Sequence, residues 1–196
     1  MEIVIRTKGE LEMMNYNYAT SLNGFTTKPL NVYKGIEQIG VIQGYFDNLI
    51  KKFIDEIVGG VPMFLKFQLK DQFGNVRLHS KPRTFKSEIA ITYFDSNNEK
   101  CEILMMHGKD ANFGPKQIEF RYKGEDYLIY KKESLKKALT LKSESAEIFL
   151  GEKLIADWNI HVSEQRVNVR IYDNDFIEDE YLILGVFHAF LYATKG

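Results

Sequence analysis

Arg77, His79, Lys81 and Arg83 alternate along the chain with Val76, Leu78, Ser80 and Pro82. In an extended strand successive side chains point to opposite faces, so this spacing sets the basic residues on one side. Lys66, Lys70 and Lys86 lie close by, and residues 61–87 hold six lysines or arginines against one acid, Asp71. A local balance of +5 in a chain of net charge −1 is a patch rather than a global field. The chemistry that such a patch suits is phosphate binding. Lysine supplies a point charge, and arginine a planar pair of donors matched to phosphate oxygens. An anionic lipid headgroup offers such a phosphate, and each basic side chain near that surface contributes about 1 kcal/mol. Arg77, Lys81, Arg83 and Lys86 are therefore the candidate binding residues. The same alternation also suits a solvated strand face with no ligand.

Other clusters point less far. Lys131, Lys132, Lys136 and Lys137 form a second basic stretch that fits a solvated turn. Asp173, Asp175, Glu178, Asp179 and Glu180 precede the most apolar run of the chain, where acids favour a helix start through its dipole. Such a stretch also resembles calcium ligands, but it lacks the register of an EF-hand loop, so no metal is assigned to it. His79, His107, His161 and His188 have no metal-ligand spacing. Cys101, the one cysteine, lies in a strand pattern beside Glu102, which does not activate a thiol, and it allows no intrachain disulfide. Phosphate loops, dinucleotide fingerprints and Gly-x-Ser-x-Gly are absent from the sequence. The expectation is a binding protein with no cofactor and no catalytic site. Aromatic residues alternate as core positions do, so nucleic acid is not an expected partner.

The elements that must carry the basic face are mostly strands. Period-two patterns with turn residues between them predict strands at Ile3–Ile5, Leu11–Tyr18, Val32–Tyr33, Ile39–Tyr45, Phe64–Leu69, Val76–Ser80 and Glu88–Phe94. The pattern continues at Cys101–His107, Gln117–Lys123, Tyr127–Lys132, Ala138–Lys142, Ala146–Leu150, Leu154–His161 and Val167–Tyr172. One stretch breaks the period. Phe46, Leu49, Ile50, Phe53, Ile54, Ile57 and Val58 recur at helical spacing over 45–58, and Gly59, Gly60 and Pro62 end it. Its polar side carries two lysines and three acids, which predicts a peripheral helix packed by its apolar stripe against the sheet.

Tyr181–Ala193 is thirteen residues with no formal charge. Leu182, Ile183, Val186, Phe187, Phe190 and Leu191 would surround a helix rather than line one face, so the helix must be wrapped on all sides. It would rise about 20 Å, short of the roughly 30 Å of bilayer hydrocarbon, so an integral membrane protein is not expected. A sheet of ten or more strands tends to curl or close. A barrel that wide needs a filling, and this helix can be it. Hydrophobic residues at 44% and charged residues at 27% are ordinary for a globular chain, and no composition break divides residues 1–196, so one domain is expected. The first residues show no secretory pattern, and the expected location is the cytoplasm.

This order of elements resembles the tubby C-terminal-like superfamily, which includes phospholipid scramblases and LURP-one-related plant proteins, and above all the small tubby-like proteins of Gram-positive bacteria. The stretches that carry the likeness are 32–43, the helix after them, Phe67–Gly74, Phe120–Ile129, Leu154–Trp158 and the apolar terminal helix, within roughly residues 30 to 194. The resemblance implies a mainly β fold: about twelve antiparallel strands in a closed barrel threaded by the C-terminal helix, with the helix near 45–58 peripheral. It also implies a cytoplasmic, non-enzymatic module that meets anionic phospholipid or a membrane surface, because animal tubby domains bind phosphoinositides through basic barrel residues. A protein-interaction scaffold without a lipid ligand is the alternative. A lipid module predicts basic residues sharing a face near an indentation; a scaffold predicts an exposed apolar patch. Scramblases carry an acidic calcium-binding stretch before their terminal helix, but here that stretch is shorter and lacks the expected glycine and proline.

Overall fold

The computed structural model describes residues 13–20, 26–58, 63–82, 88–107, 117–132, 143–161 and 165–193. The strands expected at Ile3–Ile5 and Ala138–Lys142 lie outside them. Twelve strands are described: β1 (Met14–Ala19), β2 (Leu30–Lys34), β3 (Glu37–Tyr45), β4 (Lys66–Asp71), β5 (Val76–Pro82) and β6 (Glu88–Phe94). Then follow β7 (Lys100–His107), β8 (Gln117–Tyr122), β9 (Glu125–Lys132), β10 (Ser143–Leu150), β11 (Lys153–His161) and β12 (Arg166–Ile171). Helix α1 (Leu49–Val58) joins β3 to β4, and α2 (Glu180–Ala193) follows β12. Each strand pairs antiparallel with the next, and β1 also pairs with β12, from Met14 opposite Ile171 to Ala19 opposite Arg166, closing a barrel.

Alternation builds the wall. In β6, Ile89, Ile91 and Tyr93 are buried while Ala90 and Thr92 are only partly covered. Short hairpins gather at one end, between β2 and β3, β4 and β5, β6 and β7, β8 and β9, and β10 and β11. Between β8 and β9, Lys123 and Gly124 both have positive φ, at 50° and 84°, which gives the tight turn whose twist matches paired strands. The segment after β12 reaches this hairpin end, and α2 starts there.

Residues 182–191 of α2 are all buried. Their partners come from around the closed wall. His188 meets Tyr18 of β1 and Phe67 of β4. Gly185 lies against Leu78 of β5. Trp158 of β11 packs on Phe187 and Phe190 and donates its indole N–H to the Phe187 carbonyl at 3.4 Å. A helix buried on every side and touching β1, β4, β5 and β11 runs through the barrel interior, as its uniform hydrophobicity requires. His188 is 2% exposed, with its Nδ1 3.3 Å from the Tyr18 hydroxyl, so it is a core residue.

Three bulges, each an extra residue in one strand of a pair, fix the chain that leads into α2. Ile39 is the extra residue of β3, and its carbonyl accepts the Tyr181 hydroxyl at 2.9 Å. Ile155 is extra in β11, and its carbonyl accepts the Tyr172 amide at 2.9 Å. Arg77 is extra in β5, with its guanidinium 5.5 Å from the centre of the Tyr181 ring. The acids of 173–180 do the rest. Asp179 is 4% exposed and accepts from the hydroxyls of Tyr93 (3.1 Å) and Tyr122 (2.9 Å) and from Lys123 (2.8 Å). Glu180 accepts from Tyr16 (2.7 Å) and Lys34 (2.8 Å), and Asp173 pairs with Lys153 at 2.6 Å. Burial and the neighbouring carboxylates hold the hydroxyls of Tyr16, Tyr93 and Tyr122 far above the ordinary tyrosine range. These acids anchor the helix start, and no group of acids, histidines and cysteine among the described residues could hold a metal ion.

Helix α1 corrects one expectation. It begins at Leu49 because the Asn48 side chain caps it, accepting the Lys51 amide at 2.9 Å. One polar edge, Lys51 and Asp55, faces the barrel, while Lys52 and Glu56 stay in solvent. Asp55 accepts the amides of Met63 and Phe64 at 3.0 and 2.9 Å. Asp47, just ahead of the helix, takes Lys51 at 2.5 Å and Lys66 of β4 at 2.6 Å. Tied down by its acids, the helix turns its apolar stripe outward: Leu49, Ile50, Phe53, Ile57 and Val58 are 61% to 81% exposed, and Ile54 is 37% exposed. No helix among the described residues is long and apolar enough to cross a membrane.

Candidate functional site

The outer face of β3 to β6 carries a groove of about 260 Å³ where β3 leaves for α1. Tyr45, Lys66, His79, Lys81 and Thr92 line it, and no carboxylate does. Register explains the assembly. Tyr45 pairs with Lys66 and His79 with Thr92. Phe67 pairs with Ser80, so Lys66 and Lys81 occupy the next positions across the β4–β5 ladder. Like charges placed opposite one another in a sheet repel, and an anion between them would relieve that.

Two acids flank the groove. Asp47 holds Lys66, and its two lysines bring its carboxyl down to about 2. Glu102 accepts from Thr92 at 3.1 Å and pairs with Lys100 at 2.6 Å. Lys100 first, then Thr92 and the charge of Lys81, lower the Glu102 carboxyl below its ordinary range. Each acid thus has a lysine outside the groove, Lys51 and Lys100, and the groove keeps a positive surplus. His79 reports it. Its Nδ1 is 3.4 Å from the Tyr45 hydroxyl, and burial, then Lys66 and Lys70, lower its pKa. It can take up a proton when an anion arrives, and Tyr45 and Thr92 can hydrogen-bond the anion's oxygens.

Of the residues expected from the sequence, Lys81 lines the groove and Arg77 does not. The bulge takes Arg77 out of alternation. Its Nη2 donates to the Asp95 carbonyl at 2.7 Å, and its enclosed Nε has no hydrogen-bond partner. Four residues of strand, about 13 Å, separate it from Lys81. Arg77 clamps the start of α2. Arg83 and Lys86 lie outside the described residues. Lys66, counted in the basic patch but not among the candidate binding residues, comes from β4 and Tyr45 from β3, and only strand register could have set them beside Lys81. In the second basic stretch, Lys131 pairs with Glu144 at 3.1 Å and Lys132 with Glu147 across the β9–β10 ladder, while Lys136 and Lys137 lie outside the described residues.

Comparison with curated proteins and with solved structures found no match. A family model described as the Tubby C-terminal like domain matches residues 16–193, from the first buried tyrosine of β1 to the last residue of α2. With a twelve-stranded antiparallel barrel filled by its terminal helix, the chain belongs to the Tubby C-terminal like domain family.

Proposed function

We propose that this tubby-like module, a single unit over the chain, binds anionic phosphate groups of phospholipids at the cytoplasmic membrane surface, acting as a peripheral binding protein and not as an enzyme. The observation that carries this reading is the groove in which Lys66, Lys81 and His79 converge with two hydroxyl side chains and no lining carboxylate. Lysines on neighbouring strands supply charge, and Tyr45 and Thr92 supply orientation. Arg77 contributes at a distance, by fixing the helix that supports the wall.

Co-sedimentation with vesicles tests it. Wild type should pellet with vesicles containing phosphatidylglycerol and not with phosphatidylcholine alone, and less so as salt rises. The Lys66→Ala/Lys81→Ala variant should lose that binding. A folded wild type that ignores both vesicle types would sink the proposal.

One observation favours a second reading. The apolar face of α1 is the kind of exposed patch a protein-interaction scaffold presents.

A further inference from the structure

Helix α1 inverts the usual arrangement of a surface helix. Asp55 on its inner edge accepts two backbone amides, and Asp47, just ahead of the helix, is held by Lys51 and Lys66. Glu56 stays in solvent and pairs there with Lys52 at 3.7 Å. The sequence alone argues against membrane contact, because acids outnumber lysines on the polar side. With Asp47 and Asp55 held and Glu56 neutralised by Lys52, the helix presents to solvent an apolar ridge of Leu49, Ile50, Phe53, Ile57 and Val58 with that one ion pair beside it. A chain that leaves such a ridge bare has a use for it outside its own core.

The neighbourhood says what covers it. Asp47 ties the base of the helix to Lys66, a wall of the cationic groove, and Tyr45 of the groove stands two residues before Asp47. Apolar ridge and cationic groove are thus adjacent on one side of the barrel. A bilayer with acidic lipids offers these two layers side by side: phosphates outermost, acyl chains just beneath. A second copy fits poorly, since a two-fold pair of this face would bring lysines against lysines. A protein partner seated on one ten-residue helix would gain little of the ~800 Å² per side that a stable interface uses.

We propose that α1 is a membrane wedge: with the groove on lipid phosphates, Leu49, Ile50, Phe53, Ile57 and Val58 enter the boundary between headgroups and acyl chains. The inference rests on the phosphate reading of the groove and adds the depth and orientation of docking. Interfacial helices sit roughly 5–10 Å into that boundary, which a helix standing on the barrel by its polar edge can reach without unfolding.

The experiment uses the full chain with Cys101→Ser and Phe53→Cys, carrying an environment-sensitive fluorophore at position 53. Vesicles of phosphatidylcholine with phosphatidylglycerol should shift its emission to the blue, and brominated acyl chains should quench it. Without the label, Phe53→Asp/Ile57→Asp should weaken vesicle binding by about tenfold or more. The variant should keep native near-ultraviolet dichroism and unchanged affinity for inositol hexakisphosphate, the soluble probe of the groove. Undiminished vesicle binding by the variant, or an unshifted probe on bound vesicles, overturns the wedge. A blue probe without vesicles also overturns it: growth of the signal with protein concentration would assign the ridge to self-association, and concentration independence to cover by the chain itself. Failure of wild type to bind both inositol hexakisphosphate and vesicles would overturn the groove reading. Binding of the soluble probe with no affinity for vesicles would overturn the wedge and the lipid source of the phosphate, leaving a groove for a soluble anion. Capture of a protein that competes with vesicles for wild type, with the probe unmoved by lipid, would assign the ridge to that protein.

Discussion

Leu78 of β5 presses on the bare Cα of Gly185 in α2. A methyl group on Gly185 would stand 2.3 Å from Leu78 Cδ1 and 2.8 Å from Cδ2, inside any permitted contact. Leu78 is fully buried and cannot swing away. The pair sets how near the helix lies to the barrel wall.

Gly185→Ala should therefore destabilise the protein by about 1–3 kcal/mol, despite alanine's better helix propensity. Leu78→Ala in the same chain should recover part of the loss, because it removes the methyl groups in the way. Denaturant midpoints of the two single variants and the double variant check this. Strict additivity of the two losses would show that the contact is not what limits the helix position.

Phe187→Asp places a charge among Trp158 and other apolar groups at a site with no exposure. It should abolish folding, seen as loss of the near-ultraviolet signal of Trp158. A folded Phe187→Asp protein would mean that α2 is not enclosed by the barrel.

Asp179→Ala removes the common acceptor of Tyr93, Tyr122 and Lys123. Two buried hydroxyls lose their partner, at a cost of about 3 kcal/mol, and Tm should fall by several degrees. Asp179→Asn, which keeps an acceptor oxygen, should lose less. Equal Tm values for wild type and Asp179→Ala would show that this acid does not anchor the helix.

His79 gives the groove a pH dependence. Burial and two lysines lower its pKa below 6.5, so near neutrality the ring carries no charge. A bound phosphate favours the charged ring, so binding takes up a proton and affinity should rise as pH falls below 6.5. Stability runs the other way in pH. The unfolded chain binds the His79 proton more readily, so the stabilising contribution of the neutral, half-buried ring is present above pH 6.5 and is lost as pH falls below it. Titration calorimetry with inositol hexakisphosphate at several pH values, for wild type and His79→Gln, checks the first point. An equally steep profile in His79→Gln would move the effect to another group.

Much of the barrel is readable from alternation and turns. Glu88–Phe94 is a strand at the expected bounds because its alternation runs into turn residues at Asp95–Glu99. The terminal helix is readable because an all-round apolar helix too short for a bilayer has few other homes. Two features escape for physical reasons. Helical periodicity locates the stripe of α1 but not its direction, which depends on Asp47 and Asp55 finding Lys66 and the amides of Met63 and Phe64. Period two also cannot show a bulge. The extra residue at Arg77 turns that side chain toward Tyr181 and, in the same stroke, shifts the register so that Lys81 comes opposite Lys66. The lysine pair of the groove exists because its arginine neighbour was diverted.

The position of α2 after β12 has a consequence for synthesis. A nascent chain that has emerged through Ile171 holds all twelve described strands yet nothing to fold them around. Its inner wall, with Tyr18, Leu78, Ile91, Trp158 and Val169, is apolar and has no lumenal occupant until residues 182–191 emerge. The last ladder, β1 with β12, likewise joins positions more than 140 residues apart in sequence. Hairpins can form one by one on the ribosome, but the barrel must wait, its sticky side open, until α2 has been made. Such a chain closes its barrel only after α2 is made, and until then it exposes the kind of apolar surface that chaperones shield.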